Sequence, residues 1–139
     1  MWREDSSGKE KHVVTRILIV DDNENVRRFL KTFLLNADPS FSVCGEAGDG
    51  KEALLKADEL KPDVVILDLV MPVMDGVTAA REISKTHQGM VMFMYTLHNT
   101  YQLELEAREA GIRKIVAKSA PTELVSLIRE INRSPCHQR

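Results

Sequence analysis

Five polar residues in this 139-residue chain stand where short strand-like runs end. Asp21 and Asp22 follow Ile17–Val20, Asp68 follows Val64–Leu67, Thr96 follows Val91–Tyr95, and Lys118 follows Ile112–Ala117. Three carboxylates crowded together repel one another and favour a hard divalent cation with oxygen ligands, Mg²⁺ foremost. A hydroxyl and an ammonium beside them can grip the oxygens of a transferred phosphoryl group. A carboxylate free to attack can accept that group as an aspartyl phosphate. These residue types point to phosphoryl transfer onto aspartate, provided the chain brings them together.

The elements that must do so are legible in order. Residues 1 to about 12 are mixed-charge and bear Ser and Gly, which predicts a flexible polar tail. Val13 to Val20 reads as a first strand, and Asn23 is placed to cap a helix marked by Val26, Phe29, Leu30, Phe33 and Leu34. Phe41 to Ala47 is a less apolar strand, expected at a sheet edge. Ala53, Leu54, Ala57 and Leu60 mark the next helix, and Pro62 ends it. The run VVILDLVMPVMDG, residues 64 to 76, opens as a buried strand ending on Asp68, then turns through Met71-Pro72 and Asp75-Gly76. Val77, Ala80 and Ile83 mark a helix, Val91 to Tyr95 a strand, Tyr101 to Ala110 a helix closed by Gly111, and Ile112 to Ala117 a strand. Glu104 and Arg108 are spaced to pair across one turn. Pro121 can open a last helix with a stripe of Leu124, Leu127, Ile128 and Ile131. Strands alternating with helices predict a three-layer α/β fold around a parallel sheet. In such a sheet, strand ends that follow helical crossovers open on one edge, where ligands gather.

Composition bounds the function. Hydrophobic residues are 43% and charged residues 29%, as in a globular domain. A net charge of −2 supplies no basic field, so direct nucleic-acid binding is not expected. No apolar stretch approaches the ~20 residues that span a bilayer, and the N-terminus lacks the apolar core of a signal peptide. No membrane role and a cytoplasmic location are the expectation. Cys44 and Cys136 are too few for a disulfide framework or a zinc site. His12 and His87 are expected in tail and loop.

One rival motif is present. Residues 45–51, GEAGDGK, match the G-x-x-x-x-G-K part of a phosphate-binding loop. Yet Glu52 stands where Ser or Thr should ligate the metal, and Glu46 and Asp49 make the loop acidic. The motif also leaves Asp21, Asp22, Thr96 and Lys118 without a task. A dinucleotide-binding reading fails because DDNEN follows the first strand in place of G-x-G-x-x-G.

The pieces ILIVDD at 17–22, AGDGKEAL at 47–54, VVILDLVMPVMDG at 64–76, Thr96, and AK at 117–118 together resemble the receiver domain of two-component response regulators, the CheY-like superfamily. The resemblance covers about residues 14 to 132. It implies a flavodoxin-like, doubly wound sheet of five parallel strands in the order 2-1-3-4-5, with five helices on both faces. It implies a receiver over 13–133 and a short tail at 134–139 without an output domain. It further implies that Asp68 takes a phosphoryl group from a sensor histidine kinase or phosphotransfer protein. Asp22, Asp68 and the backbone carbonyl of Val70 would hold Mg²⁺, with Asp21 holding its waters, and Thr96 and Lys118 would grip the phosphoryl oxygens. Lys118 would pair with Asp68 beforehand. Such a chain is a signalling phosphoacceptor rather than a turnover enzyme. The output would lie on the helix 101–110 with its neighbouring strand and last helix, facing a downstream protein or, in a homodimer, a second copy.

Several positions depart from the family pattern. Ile115 stands where receivers usually carry an aromatic residue, and Leu97 where a small residue usually follows the Thr. Val70 and His98 occupy variable positions that tune phosphoryl lifetime, and Ser119 replaces a frequent Pro. Ile115 and Leu97 sustain an alternative, a degenerate receiver that acts as a phosphorylation-independent interaction module.

Overall fold

A computed structural model of the protein describes residues 2–4, 10–12 and 14–133. The runs read as strands become β1 (Thr15–Val20), β2 (Phe41–Ala47), β3 (Val64–Leu67), β4 (Val91–Thr96) and β5 (Ile112–Ala117). They form one parallel sheet in the order β2-β1-β3-β4-β5, the 2-1-3-4-5 arrangement that the resemblance implies. β3 is buried at every position, because a central parallel strand is covered on both faces and has no solvent side to mark with polar residues. β2 is an edge strand and is only half-buried from Ser42 to Glu46, as its composition predicts.

Helices α1 (Glu24–Ala37), α2 (Gly50–Leu60), α3 (Gly76–Thr86), α4 (Tyr101–Glu109) and α5 (Pro121–Arg133) complete the chain. Asn23, Asp49, Asp75 and Thr100 cap α1 to α4 by accepting first-turn N–H groups with their side chains. Side chains alternate across each strand and so build two cores. Ile17, Ile19, Ile66 and Phe93 meet Leu30 and Leu34 of α1 and Leu124 and Ile128 of α5. Leu18, Val65, Leu67 and Met94 meet Ala53, Ala57, Ala80, Ile83 and Leu103 on α2, α3 and α4. The Met-rich run at 90–94 is therefore core. At the C-terminus of α1, Asp38 accepts from the amide and hydroxyl of Ser40 and from Arg129 of α5, joining two helices.

Some details differ from the sequence reading. The first strand begins at Thr15; Val13, the expected C-terminal tail 134–139 and Cys136 lie outside the described residues. Within the segment read as a flexible polar tail, 1–12, Trp2–Glu4 and Glu10–His12 pair as antiparallel strands. Partners this close in sequence need little loop closure, so even polar residues can pair. Helix α4 ends at Glu109, with Ala110 as its cap and Gly111 at φ +98 behind it. Among the described residues, Gln102 bonds Glu106 on that helix, and no Glu104–Arg108 ion pair forms. The sheet register shifts at Ile17/Leu18 against β2 and at Met92/Phe93 against β5. No described helix is long and apolar enough to cross a membrane.

Candidate functional site

The strand order places the acids. β1 and β3 are neighbours, so Asp21 and Asp68 end adjacent strands. The ladder continues past both: the Asp68 N–H donates to the Val20 carbonyl at 3.0 Å, and the Asp21 N–H to that of Ala47 at 3.0 Å. Both acids are held by backbone before any side chain acts. The loop after β3 folds back beneath Asp68, with the Gly76 N–H donating to the Leu69 carbonyl at 2.9 Å. A Cβ on Gly76 would collide with the Asp68 carbonyl, which is why glycine opens α3.

The carboxylates converge. Asp21, Asp22 and Asp68 each bring one oxygen to within 4.8 Å of the others. Asp21 and Asp68 are buried, at 2% and 7% exposure, whereas Asp22 faces solvent. The Lys118 ammonium lies 2.8 Å from Asp21 Oδ2 and 3.1 Å from Asp68 Oδ2. The second oxygen of each acid accepts a nearby N–H, Asn23 for Asp21 at 2.9 Å and Leu69 for Asp68 at 2.7 Å. Burial alone would push the Lys118 ammonium down, but its hydrogen bonds to Asp21 and Asp68 and their charges outweigh that and raise it. The expected Lys118–Asp68 pair is present, and the shorter contact is to Asp21.

Three carboxylates against one ammonium leave excess negative charge in an oxygen-only donor set. That donor set suits a hard divalent cation, and exposed Asp22 opens it to solvent. A cleft of about 200 Å³ beside it is lined by Asp22, Asp68, Val70, Leu97, His98 and Lys118. The larger cleft of about 520 Å³ lies between the amino ends of the strands, by Thr15, Asp63 and Val91, away from the acids.

Thr96 is placed less directly. Its side chain is buried, and its Oγ accepts the His98 N–H at 3.2 Å. Its backbone carbonyl accepts the Lys118 N–H at 3.0 Å, so the ends of β4 and β5 are tied together. Sequence reasoning missed two residues behind the site. Arg27 of α1 donates to the Asp21 carbonyl at 2.6 Å while paired with Glu46 at 2.9 Å. Tyr95 donates its hydroxyl to the Lys118 carbonyl at 3.1 Å. A phenol hydroxyl next to Thr96, in a strand otherwise of Val, Met and Phe, is the signal that marked Tyr95.

The rival loop at 45–51 is excluded by its own hydrogen bonds. The Gly48 N–H donates to Glu52 Oε1, the Glu52 N–H to Asp49, and the Gly50 N–H to the Met74 carbonyl. Those amides are not left to cradle a phosphate. Cys44 is half-buried and its thiol is pushed up, first by burial, which disfavours the reactive thiolate. His87 caps α3, with Nε2 3.5 Å from Asp58.

The family model for the response regulator receiver domain matches residues 17–129. This chain belongs to that family. It is 34% identical over 119 residues to the chemotaxis protein CheY of Thermotoga maritima, covering 85% of this chain and 98% of that protein. It is 41% identical over 128 residues to a protein-glutamate methylesterase/protein-glutamine glutaminase of Methanosarcina acetivorans, covering 86% of this chain and 36% of that protein. The chain thus spans about a third of the length of that relative. Among solved structures, the response regulator domain of Thermotoga maritima CheB superposes with a TM-score of 0.78 at 31% identity, covering 88% of this chain and 99% of that one. The receiver belongs to two-component signalling, in which phosphorylation of an aspartate and Mg²⁺ binding among acidic residues are typical.

Proposed function

We propose that Asp68 is the phosphoacceptor of this receiver. In this reading Asp22, Asp68 and the backbone carbonyl of Val70 would hold Mg²⁺ with Asp21 holding its waters, and Thr96 and Lys118 would hold the phosphoryl oxygens. The observation that carries it is the buried Asp68 carboxylate, sharing one ammonium with Asp21 and one oxygen cluster with Asp21 and Asp22. The donor is a phosphohistidine on a sensor kinase or phosphotransfer protein. An Asp68 oxygen attacks phosphorus, the P–N bond breaks, and its electron pair leaves on the imidazole nitrogen, giving an acyl phosphate. When bound, Mg²⁺ offsets the negative charge that develops on the phosphoryl oxygens.

Lys118 supplies a mobile positive charge that passes from the Asp68 oxygen to the phosphoryl group. The Thr96 oxygen accepts the His98 N–H while its own O–H stays free to donate to that group, so a move of Thr96 toward it carries residue 98 along. The segment 97–100 is then pulled, and it leads into α4 through the cap at Thr100. Leu97 and Tyr101 are exposed there, at 76% and 79%, and Leu105 follows one turn later. A local charge change thereby biases a surface that a downstream protein, or a second copy of the chain, can read. Incubation with Mg²⁺ and a small acyl phosphate should add one phosphoryl group to the intact mass. The adduct should be absent without Mg²⁺ and absent in Asp68→Asn. If no donor labels the protein and it binds no beryllium fluoride with Mg²⁺, the interaction module without phosphorylation takes its place.

A further inference from the structure

Lys118 has an unusual distance to cover. It leaves the end of edge strand β5, yet its ammonium reaches Asp68 after β3 and Asp21 after β1, with β4 lying between. Neighbouring strands are about 4.8 Å apart, so the side chain must run extended across the end of the sheet. Its charge rides on a flexible four-carbon stem with several rotatable bonds. Any rotation of the residue 118 backbone is amplified at the nitrogen, and displacements of about 1 Å matter in such a site. Something must hold that backbone.

The register of β5 with β4 ends at Thr96 opposite Ala117. Beyond it, two bonds tie residue 118 to β4: its N–H donates to the Thr96 carbonyl at 3.0 Å, and its carbonyl accepts the Tyr95 hydroxyl at 3.1 Å. The next bond is a turn within the chain itself, Ala120 N–H to the Ala117 carbonyl. Tyr95 is 3% exposed and belongs to the apolar cluster between the sheet and α1 and α5, with Ile19, Val116 and Leu124. A rigid ring there gives the hydroxyl a fixed place. Burial first, and the Asp21 charge with it, push the phenol up while Lys118 draws it down; the net rise keeps it a neutral donor.

We propose that the Tyr95 hydroxyl is a positioning group for Lys118: by holding the Lys118 carbonyl on the end of β4, it aims the ammonium at Asp21 and Asp68. The proposal rests on the reading above in which Lys118 serves the phosphoryl site. It also carries a consequence for the metal, because the ammonium occupies two of the three carboxylates. A well-aimed ammonium opposes Mg²⁺, and a loosened one yields to it.

The test is a Mg²⁺ titration of the full chain and of Tyr95→Phe, Lys118→Ala and the double variant. Phenylalanine keeps the ring and removes only the hydroxyl. A single net hydrogen bond corresponds to about a fivefold change in an equilibrium. Tyr95→Phe should therefore tighten Mg²⁺ binding about three- to fivefold, and should change nothing once Lys118 is alanine. An unchanged or weaker affinity in Tyr95→Phe overturns the proposal, as does an equal change with and without Lys118. The ¹⁵N-detected Lys118 ammonium resonance gives a second reading without metal. It should be protected from exchange in the parent and lost in Tyr95→Phe; its persistence in the variant also overturns the proposal. Failure of the parent to bind Mg²⁺ or to be labelled at Asp68 would count against the site reading instead, and the ammonium resonance would still judge Tyr95.

Discussion

Replacing Val73 by glycine should make this protein more stable. Val73 has φ +70, the left-handed region, and the Met74 N–H donates to the Pro72 carbonyl at 2.7 Å, so the valine centres a tight γ-turn. Such backbone costs a residue about 1–3 kcal/mol, and a β-branched side chain fits it poorly. The side chain returns little, because it is 77% exposed. It retains roughly a quarter of the burial of a core valine, or about 0.5 kcal/mol. Glycine removes the strain but orders a more flexible chain, which costs about 0.5–1 kcal/mol. With strain near the middle of its range, the net gain is about 1 kcal/mol, or about 4 °C in Tm for a domain of this size. Urea unfolding followed by far-ultraviolet circular dichroism, with calorimetry for Tm, measures it. Val73→Ala keeps a Cβ and should gain much less. A Val73→Gly protein that melts below the parent would refute the strain argument.

Three further outcomes follow from the same geometry. Lys118→Ala leaves buried Asp21 and Asp68 without a cation, and losing one partner of a buried pair costs about 3 kcal/mol. That loss should appear in urea unfolding with a chelator and shrink when millimolar Mg²⁺ replaces the missing charge; a loss indifferent to Mg²⁺ would contradict it. Burial pushes the Asp38 carboxyl up, but bonds from Ser40 and Arg129 outweigh it and hold the group down, to about 2 from 3.8. Because its pKa is depressed by folding, Asp38 contributes fully above pH 3.8 and loses that contribution as pH falls through about 2. With the side chain 18% exposed, the loss is about 1–2 kcal/mol, and Asp38→Asn should flatten the acid limb of the stability profile by that amount. Gly76→Ala forces a Cβ against the Asp68 carbonyl, so it should lower both Tm and the yield of acceptor labelling, whereas the exposed control Gly89→Ala should lower neither.

The fold was legible because three central strands are covered on both faces and so read as unbroken apolar runs, Ile17–Val20, Val64–Leu67 and Met92–Tyr95. The acids at their ends were legible for the same reason: a charge that stops an apolar run must sit at the sheet edge. What the chain did not reveal depends on where distant segments meet. Nothing local to Met71-Pro72-Val73-Met74 announces a valine at positive φ; that follows from clamping the loop between Gly50 and Leu69. The preference of Lys118 for Asp21 over Asp68 depends on how far β1 and β3 project past the sheet. The partner of the Tyr95 hydroxyl depends on where β5 leaves β4, and the register shifts depend on neighbouring strands rather than on composition.

The most direct test of Asp68 as acceptor is to locate the phosphoryl group. The protein is phosphorylated in Mg²⁺, the acyl phosphate is reduced with borohydride, and the digested peptides are sequenced by mass. The expected result is homoserine at position 68 alone, with no reduced residue in Asp68→Asn. Homoserine at Asp21 or Asp22, or labelling of Asp68→Asn at the parent's level, would contradict the assignment of Asp68 as the acceptor.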